Sequence, residues 1–580
     1  MSDAKTCPGA LVVELTTLDF VFFAGFMALV IGVSLYAGRK ERGSEDYFLA
    51  GRSLSWGLIG FSLIASNIST EHFVGMAGQA FGRVGLAIAS YEWMSAIVLV
   101  FVAWWLLPRF LKAGIYTMPE YLEYRYDSTA RTTMALFMMG AYVIVFLATV
   151  LYSGAVALNA VFDLTGMFQN RFGMEPAAAE SWANITGIWL IGIVAGGYTI
   201  YGGLKAVVWS DLLQGSGLLI GGTIVAFLGL KELGDGSVFE GWSNFTTANA
   251  DKLHVVLPWN DPDVPWLAVF VGGLWIPNIF YWGLNQFITQ RTLGAKSLAE
   301  GQKGVLFAAC LKLLIPFIIV MPGIMAFQLY GTKIANPDMA YPHMMGQLLP
   351  PSLRGVMFAA LCGAVMSSFN SGINSASTIF TIDLYKRYLR PEATPSDEVK
   401  VGRMATGVIV VVACLWAPII SGFEGVFNYI QEIWGFISPG IVAAFLVGLW
   451  LPKAPALAGK GAMWLGVPLY ALCRVPKWIL DGVYGWNTQY ATTVDGVEKV
   501  VPPEGFLGAL YAFNSWSFLH HMGLVFLVLA AFMWWVTKRQ PLDEPRTMPV
   551  SDVDVEPHPR QYLLGGIVIA LTVCLYIIFW

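Results

Sequence analysis

Long apolar stretches, separated by short polar connections, run through most of the chain. A helix rises about 1.5 Å per residue, so roughly 20 apolar residues cross a bilayer core. The pattern predicts fourteen spans, with approximate limits 18–38, 55–80, 84–111, 132–163, 181–203, 207–232, 265–290, 304–330, 352–384, 402–422, 426–452, 461–482, 513–537 and 561–580. The twelfth is the weakest, because Arg474 and Lys477 interrupt it. Three stretches break the pattern with polar residues that lipid would penalise. The first, at 63–73, reads Leu-Ile-Ala-Ser-Asn-Ile-Ser-Thr-Glu-His-Phe. The second, at 274–286, contains Pro277, followed by Asn278, Tyr281, Asn285 and Gln286 at spacings that gather polar groups on one helical side. These two interruptions lie five spans apart, as they would at corresponding places in two inverted five-helix repeats. The third, at 363–378, places Ala364, Ser367 and Ser368 on one helix face.

Composition agrees with a polytopic all-α membrane protein: 56% of the 580 residues are hydrophobic and only 12% charged, against about 25% charged in soluble domains. The six cysteines show no metal or disulfide spacing. The polar N-terminal tail has neither the charged start nor the cleavage site of a signal peptide, and no basic block suggests nucleic acid. Lys and Arg alternate between connections. Arg39 to Arg52, Arg109 to Arg131, Arg291 to Lys303, Lys386 to Arg403, Lys453 to Lys460 and Lys538 to Arg546 share one side. The opposite connections, chiefly 233–264, 331–351 and 483–512, are poorer in them. The positive-inside rule then places both termini outside, in a cell membrane crossed many times. No Gly-x-x-x-x-Gly-Lys-Ser/Thr loop is present, which disfavours the common ATP-driven pumps. No nucleophile–base pair or metal cluster suggests an enzyme. Intramembrane ionisable residues and broken spans point to a secondary transporter.

Glu92 and Lys312 stand out as charges inside apolar runs, and either pairing with each other or a shared polar ligand would offset their cost. Gln431 and Glu432 enter apolar surroundings at the start of the eleventh span. Paired serines beside carbonyls released by an unwound helix suit a small hard cation such as Na⁺, while serines also serve close helix packing. Asp211 begins the sixth span, either as a helix-start residue or as a stop on an ion path.

The chain resembles the sodium/solute symporter family, and within it the sodium/glucose (galactose) cotransporters. The likeness covers about 45–451. It rests on Glu45-Asp-Tyr-Phe-Leu-Ala-Gly-Arg, Ala65-Ser-Asn-Ile-Ser-Thr-Glu-His-Phe-Val-Gly, Ile88-Ala-Ser-Tyr-Glu-Trp-Met and Tyr198-Thr-Ile-Tyr-Gly-Gly-Leu-Lys-Ala-Val-Val-Trp-Ser-Asp. Further landmarks are Tyr281-Trp-Gly-Leu-Asn-Gln-Phe-Ile-Thr-Gln-Arg and Asn374-Ser-Ala-Ser-Thr-Ile-Phe-Thr-Ile-Asp-Leu-Tyr.

The resemblance implies a LeuT-like core of two inverted repeats. These would be 53–232 (spans two to six) and 265–452 (spans seven to eleven), joined by an external connection, 233–264. A tail and first peripheral helix, 1–52, precede them and peripheral helices, 453–580, follow. It implies Na⁺-coupled sugar symport by alternating access, with myo-inositol, sialic acid or proline as alternative solutes. No protein partner is implied. The implied sugar-binding residues are His72, Glu92, Asn278, Tyr281, Lys312 and Gln431, with Asn67 and Trp282 nearby. The implied gates are Met76, Tyr91 and Phe427 outside and Tyr281 inside. The implied sodium ligands are the carbonyls of Ala65, Ile68 and Ala364 and the hydroxyls of Ser367 and Ser368. A second sodium site of some relatives maps to Asp211, Asn370 and Ser371. Position 72 is His where the bacterial galactose type has Gln and animal glucose transporters have His.

Overall fold

The structure is a computed structural model that describes residues 15–39, 43–422, 426–494, 497–502 and 504–580. Each predicted apolar run falls on helix. Eleven helical runs among the described residues are long and apolar enough to cross a membrane, from Thr17–Gly38 to Gln561–Ile578. One of them, Pro176–Leu233, carries both the fifth and sixth predicted runs and turns at Gly203, whose φ of 51° and ψ of −149° leave the helical region. The second and eleventh runs are built from shorter apolar helices, Trp56–Asn67 and Ser438–Trp450, with flanking turns. A two-stranded hairpin, β1 (Ala491–Val494) and β2 (Val497–Val500), lies in the connection after Ala456–Tyr484.

Leu353–Leu389 is the most enclosed span, and Thr17–Gly38 is among the most lipid-exposed. Lipid supplies no hydrophobic drive between helices, so close backbone approach and polar contacts hold the bundle. Gly215 packs against the second span so tightly that a Cβ there would lie 2.8 Å from the Ala65 Cβ. Arginines secure several helix ends. Arg125 donates to the carbonyls of Gly448, Leu451 and Ala454 at 2.7–3.1 Å and so closes the end of the eleventh run. Arg474, the charge that weakened the twelfth prediction, donates to the Asn514 and Trp516 carbonyls and pairs with Glu432. Its charge therefore faces protein.

Both predicted interruptions are present, one of them displaced. The helix Trp56–Asn67 stops at Ile68, where ψ opens to 113°, and resumes as a π-helical turn, Glu71–Met76. In the seventh run the extended residue is Asn285 (ψ 121°), between the π-helical turn Phe280–Leu284 and the helix Gln286–Leu293. Pro277 does not cause it. Pro277 sits in the first turn of Trp275–Ile279, where a missing amide costs little. The break is held from outside instead. Asn285 Oδ1 accepts from the Tyr142 hydroxyl, and Gln286 Oε1 accepts the Met118 amide at 2.8 Å while its Nε2 donates to the Tyr116 carbonyl at 3.1 Å. Asn285 and Gln286 therefore leave the shared polar face expected of an unbroken helix.

Candidate functional site

Side chains from the second, third, seventh, eighth and eleventh runs meet in one cavity beside the two breaks. Among its lining residues are Asn67, His72, Glu92, Asn278, Tyr281, Trp282, Lys312 and Gln431. Lys312, on the helix Leu298–Ile315, donates to Glu92 Oε2 and to Asn67 Oδ1. Glu92 Oε1 lies 3.4 Å from His72 Nε2. The Ser69 amide faces His72 Nδ1 at 3.5 Å, which assigns that nitrogen the acceptor role and leaves the proton on Nε2, toward Glu92. Asn67 Nδ2 donates to the Tyr281 hydroxyl at 3.1 Å, so the two broken runs touch at the cavity. Lys312 Nζ also sits 4.9 Å from the centre of the Trp282 ring. A buried charge pair is tolerable only when further hydrogen bonds satisfy it, and these do.

Asn278 completes the cluster. Its Oδ1 accepts from Ser95 at 2.7 Å, while its Nδ2 is buried without a partner among the described residues. Such a group calls for a ligand, because an unmade buried hydrogen bond is costly. Met76 and Tyr91 line the same cavity and are buried; the Phe427 side chain lies outside the described residues. Ser95 escaped the sequence reading. Its signal was spacing: it follows Glu92 by three residues on the helix Ser90–Phe101 and shares its face. Glu71 also lines the cavity, though only its neighbours His72 and Asn67 had been assigned.

A second polar cluster lies beside the first break, where the helix Leu353–Ile379 crosses it. Ser368 donates to the Ser66 carbonyl at 3.0 Å. Ser367 donates to Asp211 Oδ1 at 2.5 Å. Each hydroxyl has its single proton committed, leaving lone pairs for a cation. The Ala65 and Ile68 carbonyls stand where the helical ladder stops and take no backbone amide among the described residues. The Ala364 carbonyl lies one turn before Ser368 on the same helix.

Asp211 is buried well inside Pro176–Leu233, eight residues beyond the Gly203 turn, so it is no helix-start residue. Ser62 donates to its Oδ2 at 2.5 Å and Ser66 at 3.2 Å. The guanidinium of Arg291 lies 3.2 Å from the same oxygen, and its Nε donates to Ser62 at 2.6 Å. Arg291 also donates to Ser371, whose hydroxyl reaches the Ser367 carbonyl at 2.6 Å. Asn370 instead donates to the Tyr198 hydroxyl. The sequence reading had counted Arg291 with the loop charges, but it is fully buried.

Two broken helices in a bundle of apolar spans, with a buried Glu92–Lys312 pair in the cavity beside them, are the architecture of a membrane transporter. A profile of the sodium:solute symporter family matches residues 47–467. The chain belongs to the sodium:solute symporter family, and Na⁺ is its coupling ion. It is 43% identical over 474 residues to the sodium/glucose cotransporter of Vibrio parahaemolyticus, covering 77% of this chain and 83% of that protein. It is 41% identical over 459 residues to the symporter YidK of Escherichia coli K12, covering 79% and 78%. Among solved structures, a Na⁺-coupled sialic acid symporter in a substrate-bound outward-open state superposes with a TM-score of 0.68 at 20% identity. That match covers 92% of this chain and all of the other, and it places the chain in the LeuT-like fold.

Proposed function

We propose that the solute is a neutral sugar of the glucose or galactose kind, carried inward with Na⁺ by alternating access. The observation that carries this reading is the buried cluster of Glu92, Lys312, His72, Asn67 and Asn278, closed on one side by Tyr281. A sugar ring offers hydroxyls that both donate and accept. Glu92 takes protons from them, Lys312 gives them, and Asn278 and Gln431 do both. Tyr281 stacks on the ring's C–H face and acts as the inner gate, with Met76, Tyr91 and Phe427 as the outer one. The identity of the sodium/glucose cotransporter of Vibrio parahaemolyticus to this chain supports the assignment.

Sodium bridges the second and ninth spans through Ala65, Ile68, Ala364, Ser367 and Ser368. It favours the arrangement in which His72 and Asn278 face an outward-open cavity. Coupling equals the difference in Na⁺ affinity between the two arrangements. The membrane potential adds about 2.3 kcal/mol per charge per 100 mV, which supports roughly fifty-fold accumulation with one Na⁺. The spans group as two inverted repeats, 53–232 and 265–452, and both termini lie outside.

The experiment is uptake of labelled galactose and glucose into proteoliposomes with Na⁺, K⁺ and H⁺ gradients imposed in turn. Uptake that follows only the Na⁺ gradient and is lost in Glu92→Ala and Gln431→Ala is the expected result. Sugar-independent Na⁺ flux, or stabilisation by an amino acid alone, would overturn the reading.

A further inference from the structure

The cavity holds one more carboxyl than its cations balance. Glu92 is met by Lys312 and by the His72 imidazole. Glu71 lines the same cavity, but its Oε1 is buried without a hydrogen-bond partner and its side chain forms no ion pair among the described residues. Its amide, by contrast, is fixed by the Ser69 hydroxyl at 3.2 Å, which sets the start of the π-helical turn Glu71–Met76. The nitrogens that could meet Glu71 are committed elsewhere: Lys312 Nζ to Glu92 and Asn67, and His72 Nε2 to Glu92. The same cavity holds a donor without a partner among the described residues, Asn278 Nδ2, on a residue only 6% exposed.

We infer that Glu71 is a specificity-determining residue that filters solutes by charge, admitting neutral polyhydroxylated ligands and rejecting carboxylates. This rests on the reading of the cavity as the solute site. A hydroxyl meets Glu71 in either protonation state, donating to the carboxylate or accepting from the acid. A ligand carboxylate has acceptors only. It is repelled by the ionised form and can be held only by a protonated one, so it has to bring a proton into a low-dielectric cavity. Asn278 Nδ2, Lys312 and Glu71 together then match an alternating set of ring hydroxyls.

The test is ligand binding to the purified full-length protein in NaCl at pH 7.5, by thermal shift and calorimetry. The probes are two neutral solutes, D-galactose and myo-inositol, and two acids, D-galacturonate and N-acetylneuraminate. Wild type should bind its better neutral ligand at least thirty-fold more tightly than either acid. Glu71→Gln, which keeps the shape and removes the charge, should narrow that ratio at least ten-fold; Glu71→Ala should narrow it too. Stabilisation by Na⁺ reports that each variant is folded. An acid bound by wild type within three-fold of the neutral ligand, or a ratio unmoved in both variants, would overturn the inference. A preference for myo-inositol over galactose with the Glu71 effect intact would overturn the sugar reading alone.

Discussion

Asp211 and Arg291 form an ion pair that solvent does not reach, with Oδ2 and Nη2 3.2 Å apart. Ser62 sits between them, accepting a hydrogen bond from Arg291 and donating one to Asp211. Asp211 also receives the proton of Ser367. The pair thereby joins the helix Gln286–Leu293 of the broken seventh run to the helix that carries Ser367 and Ser368. A change at the proposed sodium oxygens would have a short hydrogen-bonded path to Gln286–Leu293.

Removing one partner leaves a bare charge in the bundle, at a cost of about 3–5 kcal/mol. Asp211→Asn and Arg291→Gln are each expected to lower the thermal midpoint sharply in detergent. The double variant is expected to recover most of that loss, because neither charge remains. A double variant no more stable than the singles would show that the hydroxyl network, not the pairing, sets the cost.

The two serines should separate in their effects. Ser368→Ala removes a hydroxyl whose proton goes to the Ser66 carbonyl, so its loss should raise the half-activating Na⁺ concentration about ten-fold with solute selectivity unchanged. Ser367→Ala removes an oxygen of the proposed cation site and also one hydrogen bond to Asp211, so it should weaken Na⁺ activation and lower thermal stability together. Sodium titrations of uptake beside melting curves decide this. Unchanged Na⁺ activation in Ser368→Ala would remove that hydroxyl from the cation site.

Lys312 and Glu92 are expected to be coupled strongly in a double-mutant cycle. Lys312→Gln strands a carboxylate that only His72 then meets, and Glu92→Gln strands an ammonium that only Asn67 then meets. Each single change should reduce solute binding at least a hundred-fold, by equilibrium binding of labelled sugar. Their combination should cost less than the product of the two losses, since the pair's mutual debt is gone. Simple multiplication would mean that each touches the solute independently.

The helical architecture was legible because a bilayer forces a length and a polarity on every span. The break at 68 was legible for the same reason: six polar residues within the seven positions 66–72 have no place in lipid. The position of the second break was not. Proline is the strongest local signal of interruption, but the chain opens at Asn285, where Tyr142, Met118 and Tyr116 from distant segments hold it. Arg291 was misplaced by the same limit. A charge near a run's end reads as a loop charge until the sixth and ninth spans supply Asp211 and Ser371 around it. Periodicity names the residues on a face; it does not say which face a neighbouring helix has already satisfied.

The connection that precedes the seventh run gives a prediction with a definite pH sign. Burial alone would raise the Asp261 carboxyl, but hydrogen bonds from Arg83 and from the Val264 and Asp263 amides hold it below the usual carboxylate range. These contacts fasten the 258–265 turn to the linker between the second and third runs. A lowered folded-state value means that the stabilisation is fully present above the unfolded value, near pH 4, and is lost as pH falls through the folded value. The turn should therefore stay attached unchanged from pH 8 to pH 5 and loosen only below about pH 4. Asp261→Asn should show at pH 7 the mobility that wild type shows only in acid, read by the anisotropy of a fluorophore on a cysteine introduced at Asn260. Because Arg83 is 47% exposed and pairs with both Asp261 and Asp263, high salt should weaken the attachment in wild type more than in the variant, which keeps only the Asp263 pair. Loosening of wild type between pH 8 and pH 5 would assign the attachment to some group other than Asp261.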